Sequence, residues 1–197
     1  MTAIRQLLWR LANRFGGRRL KTWSQNDQYR QGKWHYLAEE RRPMVTRLVE
    51  RLADGGRVLE FGCGEGHLAA QVSPDCYQHY VGYDISDIAI ATARQRPLSE
   101  RCQFEVQDIN AWPGDAGLTL IIVEECLNYL RPGELAQFLG RCRHSLTGNG
   151  LNDHGAMLAT FHDRTCYQGA IAACKAAFGT HEEILDQSDS LYLILRP

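Results

Sequence analysis

The chain has 197 residues, of which 44% are hydrophobic, and its 22 Lys and Arg balance 23 Asp and Glu to a net charge of -1. This size and balance are typical of one ordinary globular domain and give no reason to expect nucleic-acid binding. No stretch is long and apolar enough to span a bilayer. The seven cysteines are odd in number and include no C-x-x-C pair. This usage argues against a disulfide framework or a metal site and favours a cytoplasmic protein.

The first 21 residues form a basic amphipathic segment. Residues 4–15 place apolar side chains at helical spacing, and Arg18, Arg19 and Lys21 follow a pair of glycines. One interpretation is a helix that lies on an anionic surface, which would put a cytoplasmic protein at the inner face of a membrane through residues 1–21. The other is a terminal helix that packs on the domain or is left disordered.

Residues 23–36 mix aromatic, amide and charged side chains. This segment is too polar for a core and too aromatic for a plain linker. It is either an arm that folds over a pocket or a surface arm held by its aromatic rings. We treat residues 1–40 as an N-terminal unit of basic segment and aromatic arm, and residues 41–197 as a single α/β domain.

A glycine-rich turn, GCGEG at residues 62–66, follows a helix predicted over 44–52 and a buried strand pattern. Gly62 and Gly64 lack the side chains that would keep a ligand from the backbone, and Gly66 permits close packing of a helix predicted over 67–72. The pattern predicts a cofactor-binding turn. A strand-to-helix turn that only needs flexibility is the alternative.

The rest of the chain alternates predicted strands with helices. Strands are expected at 79–86, 103–109, 118–123 and 156–161, and helices at 88–96, 132–146 and 166–178. A closing antiparallel pair is expected at 182–187 and 190–195, separated by the turn formers Ser188 and Asp189. This order predicts an α/β fold with a doubly wound, mostly parallel seven-stranded sheet and an antiparallel final strand.

Four of these strands end near an acidic residue. In a doubly wound sheet the carboxyl ends of parallel strands meet in one crevice, where ligands bind. Acids there suit a ligand with hydroxyls, amines or a positive charge rather than a bare polyphosphate. Asp84, 22 positions after Gly62, is placed to accept hydrogen bonds from ribose hydroxyls, although an acid there also serves as a helix cap. The four acids are Glu60, Asp84, Asp108 and Glu124.

Residues 59–66 resemble the first motif of the class I S-adenosylmethionine-dependent methyltransferases, an acid two residues before a G-x-G-x-G turn. Residue 67 is His, so the G-x-G-x-x-G spacing of nicotinamide-binding enzymes is not met. The resemblance implies S-adenosyl-L-methionine as cofactor, with the glycine turn at its methionine end, Asp84 at the ribose and the next acid at the adenine. The implied cofactor-binding residues are Glu60, Gly62, Cys63, Gly64, Asp84, Ile85, Asp108, Ile109 and Glu124.

Residues 123–130 resemble the fourth-strand region of small single-domain members, including the nodulation-type N-methyltransferases. Glu124 and Asn128 depart from the familiar run there, and Thr119 stands where many members have Asp. These departures bear on the substrate rather than on the cofactor. The resemblance covers about residues 40–197, so that 41–197 is the expected methyltransferase domain.

In methyl transfer an amine acceptor must be deprotonated, and a hydroxyl acceptor benefits from a base near the methyl. The candidate catalytic residues are Glu125, Tyr129 and His162, with Asp163 and His35 behind them. Each also has a structural interpretation, as a helix cap, a core ring or a loop contact. No group of residues indicates a metal site.

The sequence therefore predicts a methyltransferase that acts on nitrogen or oxygen of a small molecule or saccharide. By elimination, residues 1–40 and the loops after the fourth and fifth strands form most of the acceptor site. Two alternatives stay open: a cofactor-binding partner subunit without catalysis, and a nicotinamide-dependent oxidoreductase.

Overall fold

The computed structural model describes residues 3–34, 43–147, 155–162, 164–186 and 190–197. Two N-terminal helices come first, and strands then alternate with helices, as the sequence predicts. The helices are α1 Ala3–Phe15, α2 Arg18–Arg30, α3 Pro43–Ala53, α4 Asp87–Ala93, α5 Pro132–Thr147 and α6 Arg164–Ala177. The strands are β1 Arg57–Phe61, β2 His79–Asp84, β3 Cys102–Val106, β4 Leu120–Glu124, β5 Ala156–Phe161, β6 Thr180–Leu185 and β7 Leu191–Arg196.

The strands form one seven-stranded sheet in the order β3-β2-β1-β4-β5-β7-β6. The first five strands are parallel, and β7 runs antiparallel to both of its neighbours. The strand order reverses at β1, which lies between β2 and β4. The predicted fold class is therefore confirmed, while the turn predicted at Ser188 and Asp189 lies outside the described residues.

The central strands are buried on both faces, which explains the continuous apolar sequence of β4. Ile121 and Val123 belong to the core cluster that includes Phe138 of α5 and residues of α6. Leu120 and Ile122 belong to the cluster on the other face, with residues of α3. Helix layers on both faces hold the sheet rigid, so the loops at its carboxyl edge have fixed anchor points.

One local prediction is wrong, and one helix was not predicted. Residues 67–72 form a series of turns instead of an α-helix, because Gly66 and Ser73-Pro74 leave only six residues, too few for a stable helix of their own. The prediction of an aromatic arm missed α2, whose buried side chains include Ser24, Asp27 and Gln28. A helix with a polar buried face has no apolar periodicity to reveal it.

Thr119, unusual for the resembled family, packs against the backbone at the other edge of the sheet. A Cβ atom added to Gly56 would lie 1.8 Å from Thr119 Oγ1. Both residues immediately precede strands, so they lie at the amino ends of β1 and β4. The departure at Thr119 is therefore accommodated by Gly56 and lies away from the crevice.

We expect Gly56→Ala to lower the free energy of unfolding by about 2 kcal/mol, because the added methyl overpacks a buried contact. Gly140→Ala is the matched control, since nothing lies within 4 Å of its added Cβ in the middle of α5. The control is expected to raise the free energy of unfolding by about 1 kcal/mol, through helix propensity. Urea denaturation of both variants tests this, and a Gly56→Ala protein as stable as the wild type would contradict it.

The cysteines are all described, and none of them forms a disulfide. Across the described ranges, no helix combines the length and hydropathy that a bilayer crossing needs.

Candidate functional site

A cavity of about 440 Å³ lies at the carboxyl edge of the sheet, between the loops after β1, β2 and β4 and helix α2. Its size is in the range of small-molecule and cofactor sites. Eight of the nine predicted cofactor-binding residues line it: Gly62, Cys63, Gly64, Asp84, Ile85, Asp108, Ile109 and Glu124. The three predicted catalytic residues, Glu125, Tyr129 and His162, line it as well.

Glu60 is the predicted residue that the structure does not bring to the cavity wall. Its side chain is 1% exposed, and Oε2 accepts a 2.7 Å hydrogen bond from the Tyr80 hydroxyl. Burial and the Glu60 charge together raise the pKa of Tyr80 well above its usual value, so the phenol stays a donor. In this structure Glu60 therefore joins β1 to β2 beneath the glycine turn.

Asp84, the last residue of β2, organises the glycine turn. Its Oδ2 accepts the backbone N–H of Gly64 at 3.0 Å, and its Oδ1 accepts the N–H of Ser86 at 2.8 Å. Burial raises the pKa of the carboxyl to about 6, while these backbone N–H groups pull it down. At neutral pH the group is therefore an ionised acceptor in the cavity wall.

Gly64 is required by its backbone and by its neighbour. Its φ is +53°, in the left-handed region, and a Cβ there would lie 2.7 Å from the Tyr29 hydroxyl oxygen. Burial, with the nearby Asp84 charge, raises the pKa of Tyr29 well above its usual value, so the phenol is neutral. The missing side chain lets helix α2 approach the turn and brings the Tyr29 hydroxyl into the cavity wall.

Helix α2 is attached to the loop after β2 by a chain of hydrogen bonds. Ser86 Oγ donates to Asn26 Oδ1 at 2.7 Å, and Asn26 Nδ2 donates to Asp87 Oδ1 at 2.5 Å. Ser86 Oγ also caps α4 by accepting the N–H of Ala89. The cap of α4, the end of β2 and the wall supplied by α2 are thus one connected unit.

The charged side chains that line the cavity are mainly acids. Besides the predicted acids, Glu65 contributes to the wall. Lys21 is the only Lys or Arg among the described lining residues, and its Nζ donates to the Tyr129 carbonyl at 2.9 Å. This charge balance favours a ligand with a cationic or hydroxyl-rich surface.

Glu125 and His162 form a carboxylate–imidazole pair on the cavity wall. Glu125 Oε1 accepts the His162 backbone N–H at 2.8 Å and lies 2.8 Å from His162 Nδ1. Glu125 has a φ of +51°, which is uncommon for a residue with a side chain. Its carbonyl accepts a 2.9 Å hydrogen bond from the Tyr167 hydroxyl. The loop after β4 thus holds its carboxylate against the imidazole. A proton on Nδ1, shared with this carboxylate, would leave Nε2 as the basic nitrogen.

Tyr129 lies in the wall as a neutral phenol. Burial raises its pKa to about 12, and a hydrogen bond with Gln25 acts in the opposite direction. It is therefore suited to donate a hydrogen bond rather than to accept a proton. The other candidates, His35 and Asp163, lie outside the described residues.

Helix α2 and the residues that follow it supply a cavity wall whose individual residues the sequence did not single out as site residues. Lys21, Gln25, Tyr29 and the following Trp34 all line the cavity. The segment was predicted as a possible cover for a pocket, but its helical register was not. The useful signal was composition, because aromatic and amide side chains in a polar segment are typical of ligand contacts.

Comparisons with known proteins agree with this architecture. The sequence of residues 58–150 matches a family described as a methyltransferase domain. No curated protein sequence matches the chain. A TehB-like SAM-dependent methyltransferase from Corynebacterium glutamicum is similar in structure, with a TM-score of 0.66 and 18% identity over 88% of this chain and 98% of that one.

Two further structures show the range of proteins that share the fold. The N-methyltransferase NodS from Bradyrhizobium japonicum, in complex with S-adenosyl-L-homocysteine, has a TM-score of 0.60 and 20% identity over 99% of this chain and 98% of its own. The [4+2]-cyclase SpnF has a TM-score of 0.56 and 20% identity over 77% of this chain and 78% of its own. The second case shows that the fold by itself does not decide the reaction.

The motif match and the fold point to the same family. The sequence match spans the glycine turn, the Asp84 and Asp108 loops and the loop after β4. The bound S-adenosyl-L-homocysteine in the NodS structure is the demethylated form of the cofactor expected from the sequence. Residues 58–150 therefore match a methyltransferase-domain family, and the chain has the fold of the class I S-adenosylmethionine-dependent methyltransferases.

Proposed function

We propose that the protein is a methyltransferase that binds S-adenosyl-L-methionine in this cavity and methylates nitrogen or oxygen of a small molecule or saccharide. The observation that carries the proposal is the convergence of a side-chain-free glycine turn, a buried carboxylate and a carboxylate–imidazole pair on one cavity. Binding of the cofactor needs the first two features. Methyl transfer needs the third.

The described residues fit the cofactor. Asp84 would accept the ribose hydroxyls, since a carboxylate oxygen has lone pairs beyond those used by Gly64 and Ser86. Asp108 and Ile109 would flank the adenine. The acidic lining suits the positive charge of a sulfonium, and the cavity is large enough for a ligand of this size.

When bound, the cofactor supplies an electrophilic methyl group on its sulfonium. The protein's part is to align the acceptor with that methyl, to exclude water and to remove the acceptor's proton. His162 Nε2 would take the proton from the acceptor nitrogen or oxygen. Glu125 would stabilise the imidazolium that forms, because its Oε1 lies 2.8 Å from Nδ1.

The acceptor would be bound between helix α2 and the loops after β4 and β5. Gln25 and Asn128 offer amide donors and acceptors, and Tyr129 offers a neutral hydroxyl. Trp34 adds an aromatic face. These groups suit a neutral or cationic acceptor that carries hydroxyls or an amine, which is the basis for proposing a small molecule or saccharide.

The test is transfer of isotopically labelled methyl from the cofactor to a panel of amines, amino sugars, polyols and phenols. We expect label in one chemical class of acceptor. Tight cofactor binding with no label in any class, together with copurification of a second chain, would instead favour the non-catalytic partner subunit.

Cofactor affinity is expected to fall as the pH is lowered through about 6, the pKa of Asp84. Protonation removes charge from the acceptor that faces the ribose. The stability of the unliganded protein should instead rise as the pH is lowered. The folded carboxyl binds its proton more tightly than the unfolded one, whose pKa is about 3.9, so ionisation above that pH costs the folded state stability. Calorimetric titration with S-adenosylhomocysteine between pH 5 and 8 measures the first effect. The same pH dependence in Asp84→Asn would contradict its assignment to Asp84.

A further inference from the structure

The outer face of α1, defined by Ile4, Leu7, Leu8 and Leu11, is apolar and exposed. The four side chains are 72%, 56%, 48% and 46% exposed. They occur at positions i, i+3, i+4 and i+7, so they form one stripe along the helix. A continuous stripe of aliphatic side chains in water is typical of an interaction surface rather than of scattered surface residues.

The opposite face of α1 fixes the helix on the protein. Trp9 is 3% exposed, and its Nε1 donates to Asp27 Oδ2 of α2 at 2.9 Å. Arg5 pairs with the same carboxylate at 3.3 Å. Since the inner face is held by α2, only the outer face is available to a partner, and a flat surface fits it better than a groove that would surround the helix.

Charge identifies the kind of surface. The first 34 residues contain eight Lys and Arg against one Asp, a net charge of +7, while the remaining 163 residues carry a net charge of -8. Arg18 and Arg19, at the start of α2, are exposed. An apolar stripe on a strongly cationic unit matches a layer of acyl chains beneath anionic headgroups. A second copy of the same unit would be repelled by its like charge.

We propose that the outer face of α1 and the exposed arginines at the start of α2 dock the protein on an anionic lipid surface. Binding combines insertion of the aliphatic stripe with attraction of the arginines to the headgroups. It does not depend on the identity of the methyl acceptor.

The test is cosedimentation of the full chain with phosphatidylcholine vesicles with or without about 30% phosphatidylglycerol, at about 0.1 M salt. We expect binding to the anionic vesicles and weak binding to the neutral ones. The double variant R18E/R19E should reduce the vesicle partition coefficient about 25-fold or more. The double variant L7Q/L11Q should reduce it about tenfold or more.

Matched control variants make the same kinds of substitution, Arg to Glu and Leu to Gln, away from α1 and α2. R47E/R143E reverses two exposed arginines on α3 and α5, and Leu185→Gln changes an exposed leucine on β6. Both should bind the vesicles like the wild type, and all variants should keep the wild-type circular dichroism spectrum. The proposal is overturned if neutral and anionic vesicles bind equally, if the controls lose as much as the α1 and α2 variants, or if the wild type stays in the supernatant. Self-association through the stripe in place of vesicle binding, seen by analytical ultracentrifugation, would also overturn it.

Discussion

Asp84→Ala is expected to weaken binding of S-adenosylhomocysteine by about 100-fold or more, because hydrogen bonds to a charged acceptor contribute about 1.5–3 kcal/mol each. The substitution removes the proposed acceptor for the ribose hydroxyls. It also leaves the N–H groups of Gly64 and Ser86 without the carboxylate that orients them. Both effects act on the cofactor's side of the cavity, so the loss should be seen in calorimetric titrations before any acceptor is added.

Two measurements keep this prediction interpretable. Asp75→Ala removes an acid from the loop before β2, outside the cavity lining, and should leave the affinity unchanged. Thermal unfolding of Asp84→Ala, followed without ligand, shows whether the variant is folded at the temperature of the titration. A folded Asp84→Ala protein with wild-type affinity would mean that the cofactor is not held at the end of β2.

His162→Ala is expected to lower kcat for methyl transfer by about 100- to 10,000-fold, the usual contribution of a general base. The affinity for the cofactor should stay within about twofold of the wild type, because the imidazole faces the acceptor in the proposed arrangement. Glu125→Gln should have a smaller effect on kcat, since it keeps the shape of the pair and removes the charge that stabilises the imidazolium. Steady-state kinetics with the acceptor found in the labelling experiment measure both.

His144→Ala, on α5 and outside the cavity lining, is the control and should keep wild-type kcat. The pH dependence of kcat distinguishes a His162 that acts as a base from one that only makes a structural contact. If His162 is the base, kcat of the wild type should rise with pH along a single ionisation that is absent from His162→Ala. Equal kcat in wild type and His162→Ala would remove this residue from the mechanism.

The part of the cavity formed by the loops after the strands was predictable because it depends on topology. Once β1, β2, β3 and β4 are recognised as parallel strands, the residues that follow them must meet at one edge of the sheet. Asp84 and Asp108 could therefore be placed near each other without coordinates. The central strand β4 was predictable from its unbroken apolar sequence, because a parallel strand covered by helices is buried on both faces.

Side-chain direction within a strand was harder to predict. Glu60 is one residue before the end of β1, and its carboxylate bonds to Tyr80 rather than entering the cavity. Alternation along a strand sends neighbouring side chains to opposite faces, so a position near the carboxyl end does not by itself bring a residue to the crevice.

The cavity wall supplied by α2 was predicted only in outline, because α2 has no apolar helical face. Its buried polar side chains are explained by partners far away in sequence, such as the Asn26 contacts with Ser86 and Asp87. Such long-range polar pairing has no local signature. The same limit applies to Glu125 and His162, which are 37 residues apart and meet because β4 and β5 are adjacent parallel strands.

The most direct test of the central claim is calorimetric titration of the wild-type protein with S-adenosylhomocysteine and, separately, with a nicotinamide dinucleotide. We predict one S-adenosylhomocysteine per chain, bound about 100-fold or more weakly by Asp84→Ala, and no heat of binding for the dinucleotide. Binding of the dinucleotide in place of S-adenosylhomocysteine, or of neither ligand, would contradict the assignment of this cavity to a sulfonium cofactor.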